Sequence, residues 1–213
     1  MTLKVTEIYK SVQGESSYAG LPCTFIRMTG CPLRCRWCDT AYAFEGGEDA
    51  SLETIMQKVK ELGVHLVELT GGEPLAQKGS YELANHLSES GYKVLIETGG
   101  SEPIAGLHQN VHVIMDIKCP GSKMDGKNLW SNIELLKPTD EVKFVVASKE
   151  DFSWAVTVCE KYDLEKKCRL LFSPAFGLVQ PKDLVEWLLE SGANARLNLQ
   201  QHKFIWHPRA KGV

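Results

Sequence analysis

Gly30-Cys31-Pro32-Leu33-Arg34-Cys35-Arg36-Trp37-Cys38-Asp39-Thr40 gathers three of the chain's seven cysteines into one short polar loop. The spacing is C-x3-C-x2-C. Three thiolates on one loop can hold three irons of a [4Fe–4S] cube and leave the fourth iron without a protein ligand. An open iron can bind a cofactor or substrate directly. A structural zinc site would need four ligands in paired sets. No second C-x-x-C is present, and the first histidine of the chain is His65. A thioredoxin-like Cys35/Cys38 pair would leave Cys31 unexplained. Cys23, Cys119, Cys159 and Cys168 are scattered, as buried small hydrophobes usually are.

The loop follows an apolar run, Cys23–Met28, and further runs of the same kind recur along the chain. They are His65–Leu69, Lys93–Glu97, Val111–Ile117, Glu141–Ala147, Arg169–Phe172 and Ala195–Leu199. Short runs rich in Val, Ile, Leu and Phe are expected of buried parallel strands. Amphipathic segments lie between them: Ser51–Leu62, Ser80–Ser90, Lys149–Tyr162 and Pro181–Ser191. Ser51 stands where a cap belongs, Pro181 suits a first helical turn, and Gly192 suits a helix end. Alternating β and α segments predict an α/β fold with right-handed crossovers. About six parallel strands would form an open sheet or a partial (β/α) barrel. Repeats and long linkers are absent, so residues 1–213 read as one domain.

In such folds ligands collect at the C-terminal ends of the strands. Leu69-Thr70-Gly71-Gly72-Glu73-Pro74 ends the second core strand. Its glycines permit close backbone approach and unusual φ angles. Asp116-Ile117-Lys118 and Ser173-Pro174-Ala175-Phe176 close two later strands and are candidate cofactor contacts. His65, His86, His108 and His112 have no motif context and read as surface or satisfied residues.

Composition excludes little. Hydrophobic residues make up 43% and charged residues 24%, ordinary for a globular chain. The net charge of −3 gives no reason to expect nucleic-acid binding. No apolar run is long enough to span a membrane, and the first residues lack a signal-peptide core. A cytoplasmic protein is expected.

The cysteine triplet, with an aromatic residue before its last cysteine, resembles the radical S-adenosylmethionine (SAM) superfamily. Gly71-Gly72-Glu73-Pro74 lies one β/α unit later, where that superfamily binds SAM. The resemblance implies that SAM chelates the open iron and yields a 5′-deoxyadenosyl radical, so no side chain need carry the hydrogen abstraction. It places Trp37 near the adenine and Gly72 and Glu73 on SAM, with Asp116, Ile117, Lys118, Ser173, Pro174, Ala175 and Phe176 as further contacts.

The flanks narrow the resemblance. Glu7-Ile8-Tyr9-Lys10-Ser11-Val12-Gln13-Gly14-Glu15-Ser16, Phe25-Ile26-Arg27, Cys38-Asp39-Thr40 and Gln200-Gln201-His202-Lys203-Phe204-Ile205-Trp206 are together similar to the 7-carboxy-7-deazaguanine synthase family of queuosine biosynthesis. That likeness implies a compact partial barrel and a homodimer. It implies conversion of 6-carboxy-5,6,7,8-tetrahydropterin to 7-carboxy-7-deazaguanine with loss of ammonia. It implies Mg2+ on Thr40 and an electron donor such as flavodoxin or ferredoxin. Val12, Gln13 and Gly14 match the family's substrate loop, Arg27 its carboxylate-binding arginine and Thr70 a substrate contact. The tail from His202 is expected to close over the site, with His207 or Pro208 against the substrate. Two other readings compete. A glycyl-radical-enzyme activase shares the cysteine spacing without needing Gln13 or Arg27. A non-catalytic iron–sulfur protein would not need Gly71-Gly72-Glu73.

Overall fold

The computed structural model describes residues 2–213. Its sheet has nine strands, β1 (Thr2–Val12), β2 (Pro22–Met28), β3 (Glu48–Ser51), β4 (Leu66–Gly71), β5 (Lys93–Thr98), β6 (His112–Asp116), β7 (Glu141–Val146), β8 (Arg169–Pro174) and β9 (Arg196–Leu197). Their order is β3-β1-β2-β4-β5-β6-β7-β8-β9. All pairings from β2 to β9 are parallel, whereas β1 pairs antiparallel with both β2 and β3. The sheet curls into a partial barrel that does not close, one of the two arrangements the alternation allows and the one the resemblance implies.

The helices are α1 (Leu52–Leu62), α2 (Gly79–Glu89), α3 (Lys149–Lys161), α4 (Leu164–Lys167), α5 (Pro181–Ser191) and α6 (His202–Ile205). Ser51 caps α1, its Oγ accepting from Thr54 N, and Gly192 ends α5 in the left-handed conformation. The connections β5–β6 and β6–β7 carry only loops and 3₁₀ turns. No helix among the described residues is long and apolar enough to cross a membrane.

Strands β1 and β3 were not expected. β1 is only half covered, so Leu3 and Val5 are buried while Lys4 and Lys10 remain in water. It alternates polar and apolar residues where a buried parallel strand would run apolar. A register shift between Val5 and Glu7 then breaks even that alternation.

Strand parity divides the core into two. Val67, Leu69, Val94, Ile96, Val113, Met115, Val142 and Phe144 face outward onto the helices, against Ile55, Val59, Leu83 and Phe152. The alternate residues Cys23, Phe25, Leu66, Leu95 and Ile114 face inward and, with Tyr9 and Tyr18, form a small plug. One step further along the same inward rows come Arg27, Glu68, Thr70, Glu97, Asp116 and Lys143. The barrel is thus plugged with hydrocarbon at one end and lined with charge at the C-terminal end of its strands.

His112 departs from expectation. It is buried under Tyr18, ring centroids 5.0 Å apart, with Nε2 3.3 Å from Glu141 Oε1 and no well-aligned hydrogen bond. The same Glu141 accepts from Ser17 N, fastening the loop after β1 to the plugged end.

Candidate active site

A cavity of about 880 Å³ opens at the C-terminal end of the strands. Its rim is the cysteine loop, its floor the inward polar residues, and its remaining wall the chain's C-terminal tail. Cys31, Cys35 and Cys38 all line it, half-buried and free of disulfides. Burial pushes each thiol up, and the ammonium of Lys118 pulls each back. Three unbridged thiols beside a cation suit a thiolate-held cluster. Cys23, Cys119, Cys159 and Cys168 are buried, as expected.

The two glycine positions of the second motif explain how the cysteine loop is held. Gly71 adopts φ 136°, and a Cβ there would lie 2.3 Å from Met28 O. A Cβ on Gly72 would lie 2.1 Å from Gly30 O. Without side chains the backbones close up: Gly72 N donates to Met28 O (3.1 Å) and Glu73 N to Gly30 O (2.8 Å). The motif therefore supports the cysteine loop as well as lining the cavity.

Val12, Gln13, Gly14, Arg27, Trp37, Thr40, Thr70, Gly72, Asp116, Lys118, Ala175, Phe176 and Pro208 also line the cavity. Glu73, Ile117, Ser173 and Pro174 do not. Ile117 packs in the outer core. Ser173 Oγ is occupied by Asn198 Nδ2 (2.8 Å), and Pro174 is buried in the β7–β8 pairing. Glu73 is fully buried behind the wall, where Thr98 Oγ1 (2.8 Å), Gly99 N (2.6 Å) and Leu75 N (3.0 Å) all donate to it. Burial raises its carboxyl to about 7, against those donors. It orders Thr98 and Gly99, which do reach the cavity.

On the floor, Arg27 Nε donates to Glu7 Oε1 (2.7 Å) and Nη2 to Tyr9 Oη (3.0 Å). Tyr42 Oη donates to the same Glu7 oxygen (2.7 Å). These contacts brace one edge of the guanidinium and leave Nη1 without a protein partner among the described residues. Lys143 donates to Glu15 Oε2 (2.9 Å) and to Glu97. Although burial opposes charge on both, the contact holds Glu15 below its ordinary range and Lys143 well above its own. Thr70 Oγ1 donates to Glu97 Oε2 (3.3 Å). Near the rim, Lys118 donates to Asp116 Oδ2 (2.7 Å).

Glu7, Tyr9, Tyr42, Glu68, Glu97 and Lys143 were not singled out from sequence. The signal existed for three of them. Glu68, Glu97 and Lys143 each interrupt an apolar strand run with a charge, as Arg27 does.

The tail closes the gap that the open barrel leaves. Gln201 N donates to Gly14 O (2.8 Å), and Gly14 lies so close to His202 that a Cβ would be 2.6 Å from Nδ1. Gln200 Nε2 donates to Glu15 Oε1 (3.0 Å) and Asp39 Oδ2 (3.2 Å). Lys203 Nζ donates to Asp39 Oδ2 (2.5 Å). Although its partial burial pushes the carboxyl of Asp39 up, the Lys203 ammonium holds it well below the usual carboxylate range. Asp39 thus ties the end of the cysteine loop to the tail, and Thr40 Oγ1 donates to its other oxygen (3.0 Å).

Residues 25–118 match the radical SAM superfamily. A 7-carboxy-7-deazaguanine synthase of Koribacter versatilis is 46% identical over 99% of this chain and 100% of its own length. One of Chlorobaculum tepidum is 42% identical, covering 99% and 97%.

The chain belongs to the 7-carboxy-7-deazaguanine synthase family.

A crystal structure of QueE from Escherichia coli shares the fold at a TM-score of 0.79, with 24% identity over 95% of each chain. SuiB of Streptococcus suis, solved with S-adenosylmethionine, matches at 0.53 and 17% identity, over 80% of this chain and 44% of that one. Membership in the 7-carboxy-7-deazaguanine synthase family brings the radical SAM cofactors, a [4Fe–4S] cluster and SAM. The three free thiols around one cavity mouth fit that cluster.

Proposed function

We propose that the protein converts 6-carboxy-5,6,7,8-tetrahydropterin to 7-carboxy-7-deazaguanine with loss of ammonia. The observation that carries this reading is the joint placement of Cys31, Cys35 and Cys38 on the rim and Gln13, Arg27 and Thr70 on the floor of one cavity. The full-length likeness to 7-carboxy-7-deazaguanine synthases supports it.

When bound, the cluster and SAM would supply the radical chemistry that removes a hydrogen atom from the substrate. Cys31, Cys35 and Cys38 would hold the cluster. Gly72, Trp37, Asp116, Lys118, Ala175 and Phe176 line the rim side of the cavity and would cradle SAM, with Glu73 acting through Thr98 and Gly99. Arg27 offers Nη1 to the substrate carboxylate, its fork held square by Glu7 and Tyr9. Thr40 would offer its hydroxyl oxygen to a Mg2+ ion, a cation that prefers oxygen ligands. Val12, Gln13, Gly14 and Thr70 face the ring, and Pro208 covers it from the tail. A closed tail keeps water from a carbon radical. In this reading the whole chain works as one domain in the cytoplasm, as a homodimer, reduced by a flavodoxin or ferredoxin.

The test is incubation of cluster-reconstituted protein with the carboxytetrahydropterin, SAM and a reductant. The deazaguanine product should form while SAM is conserved. Formation of 5′-deoxyadenosine without that product would refute the assignment. Absence of both would favour the non-catalytic iron–sulfur reading.

A further inference from the structure

Glu68 takes no part in the chemistry above, yet it is the most buried acid lining the cavity, 1% exposed. It sits mid-strand in β4, in register with Phe25 on β2 and Leu95 on β5. A carboxyl among hydrocarbon is costly unless its polar atoms are engaged. The groups facing it are Gln13 and Glu15 from the loop after β1, Tyr9 from β1, Cys23 from β2, Glu97 from β5 and Lys143 from β7. Lys143 is the one cation among them, and Glu15 and Glu97 share it. What Glu68 does hold is Gln13: Nε2 donates to Glu68 Oε2 at 3.1 Å.

The Gln13 amide has only one orientation open to it. Glu15 N donates to Gln13 Oε1 (2.9 Å), so the carbonyl end must face Glu15 and the amino end must face Glu68. A reversed amide would oppose donor to donor at Glu15. Glu15 in turn is bound through its carboxylate to Lys143 and Gln200. One buried acid therefore stands at the root of a chain running through Gln13 to the backbone and carboxylate of Glu15.

We propose that Glu68 is a positioning residue for substrate recognition, fixing the Gln13 amide and with it the Gly14–Glu15 backbone that faces the substrate ring. It rests on the pterin reading of the cavity for the identity of the substrate, and on this chain's own contacts for the positioning. Burial and the nearby Glu97 raise the Glu68 carboxyl to about 8. The raised carboxyl favours the protonated acid, for which glutamine is the closest uncharged stand-in.

The experiment compares wild type with E68L, E68Q, Q13M and the E68L/Q13M double variant, all cluster-reconstituted. Leucine fills the site with hydrocarbon like that of its neighbours, so a folded protein is expected. Two readouts are taken: amide exchange of residues 13–16, and KM and kcat for the carboxytetrahydropterin. E68L should speed exchange at Glu15 and raise KM, each about tenfold, as loss of one buried hydrogen bond predicts, with kcat changed less than about twofold. E68Q should restore both. The double variant should be no worse than Q13M alone, because Glu68 acts through Gln13.

Unchanged exchange in E68L, impairment of E68Q equal to that of E68L, or additive effects of E68L and Q13M on exchange would each overturn the proposal. If wild type makes no deazaguanine, the functional reading fails, while the exchange data still decide whether Glu68 positions the loop.

Discussion

Replacing Gly72 with alanine should unseat the cluster loop while leaving the fold in place. The new Cβ would sit 2.1 Å from Gly30 O and 3.0 Å from Cys31 Cβ. Ordinary non-bonded contacts are about 3.5 Å, so one backbone must retreat by roughly 1.4 Å. Neither is a flexible side-chain end that can swing aside. The retreat breaks or strains two hydrogen bonds, Gly72 N to Met28 O and Glu73 N to Gly30 O. At about 1 kcal/mol each, that is roughly 2 kcal/mol against the loop position that carries Cys31. Such a penalty is about a thirtyfold shift away from the cluster-competent arrangement. The bonds at risk involve the backbone of Met28 and Gly30 and not the side chains packed in the outer core, so the fold should stay in place. The assay is iron and sulfide per chain after reconstitution, visible absorbance of the cluster, and titration with SAM. G72A should hold less iron and bind SAM at least tenfold more weakly, with unchanged far-ultraviolet circular dichroism. G126A is the control, since a Cβ there meets nothing within 4 Å. Full iron content together with wild-type SAM affinity in G72A would refute the close-approach argument.

Removing the tail's clasp with K203M should raise KM for the substrate several-fold with kcat little changed. Asp39 is 44% exposed, so solvent screens the pair and about 1 kcal/mol is the most it contributes; an unaltered KM would show that the tail is not a lid. R27K keeps the charge but loses the planar fork braced by Glu7 and Tyr9. A rise of about tenfold or more in KM is expected, measured by steady-state kinetics, and wild-type KM would exclude a contact that depends on the free Nη1 of the guanidinium. Glu68 also predicts a pH dependence of stability. Its carboxyl stands near 8 in the fold against an ordinary 4.5, so between those values the native state holds one more proton than the unfolded chain. Stability should therefore fall as pH rises through that window, and E68Q should flatten the fall. Urea unfolding at about pH 5.5 and about pH 8 reads this directly, and an identical pH slope in E68Q would contradict a protonated Glu68.

Some of this protein is legible in the chain alone because the information is local. Cys31, Cys35 and Cys38 lie on one loop, so their spacing already limits what they can hold. Ser51, Pro181 and Gly192 mark helix ends through bonds and φ preferences that involve only near neighbours. The parallel strands read as apolar runs because both faces are covered. β1 escaped this reading because one face meets water and a register shift interrupts its alternation. The polar floor was hidden for a different reason. Glu68, Glu97 and Lys143 are each visible as a charge inside an apolar run, but a strand's register decides which of them meet. Lys143 reaches Glu15 across 128 residues and Gln200 reaches Asp39 across 161. Glu73 shows the converse: it belongs to a motif expected on the cavity, yet the turn after β4 sends its carboxyl behind the wall to Thr98 and Gly99. Sequence determined which chemistry the loop can carry, since ligand spacing is a property of neighbours. Tertiary structure decided which side chains face the cavity, since strand parity and register act only once the sheet has formed.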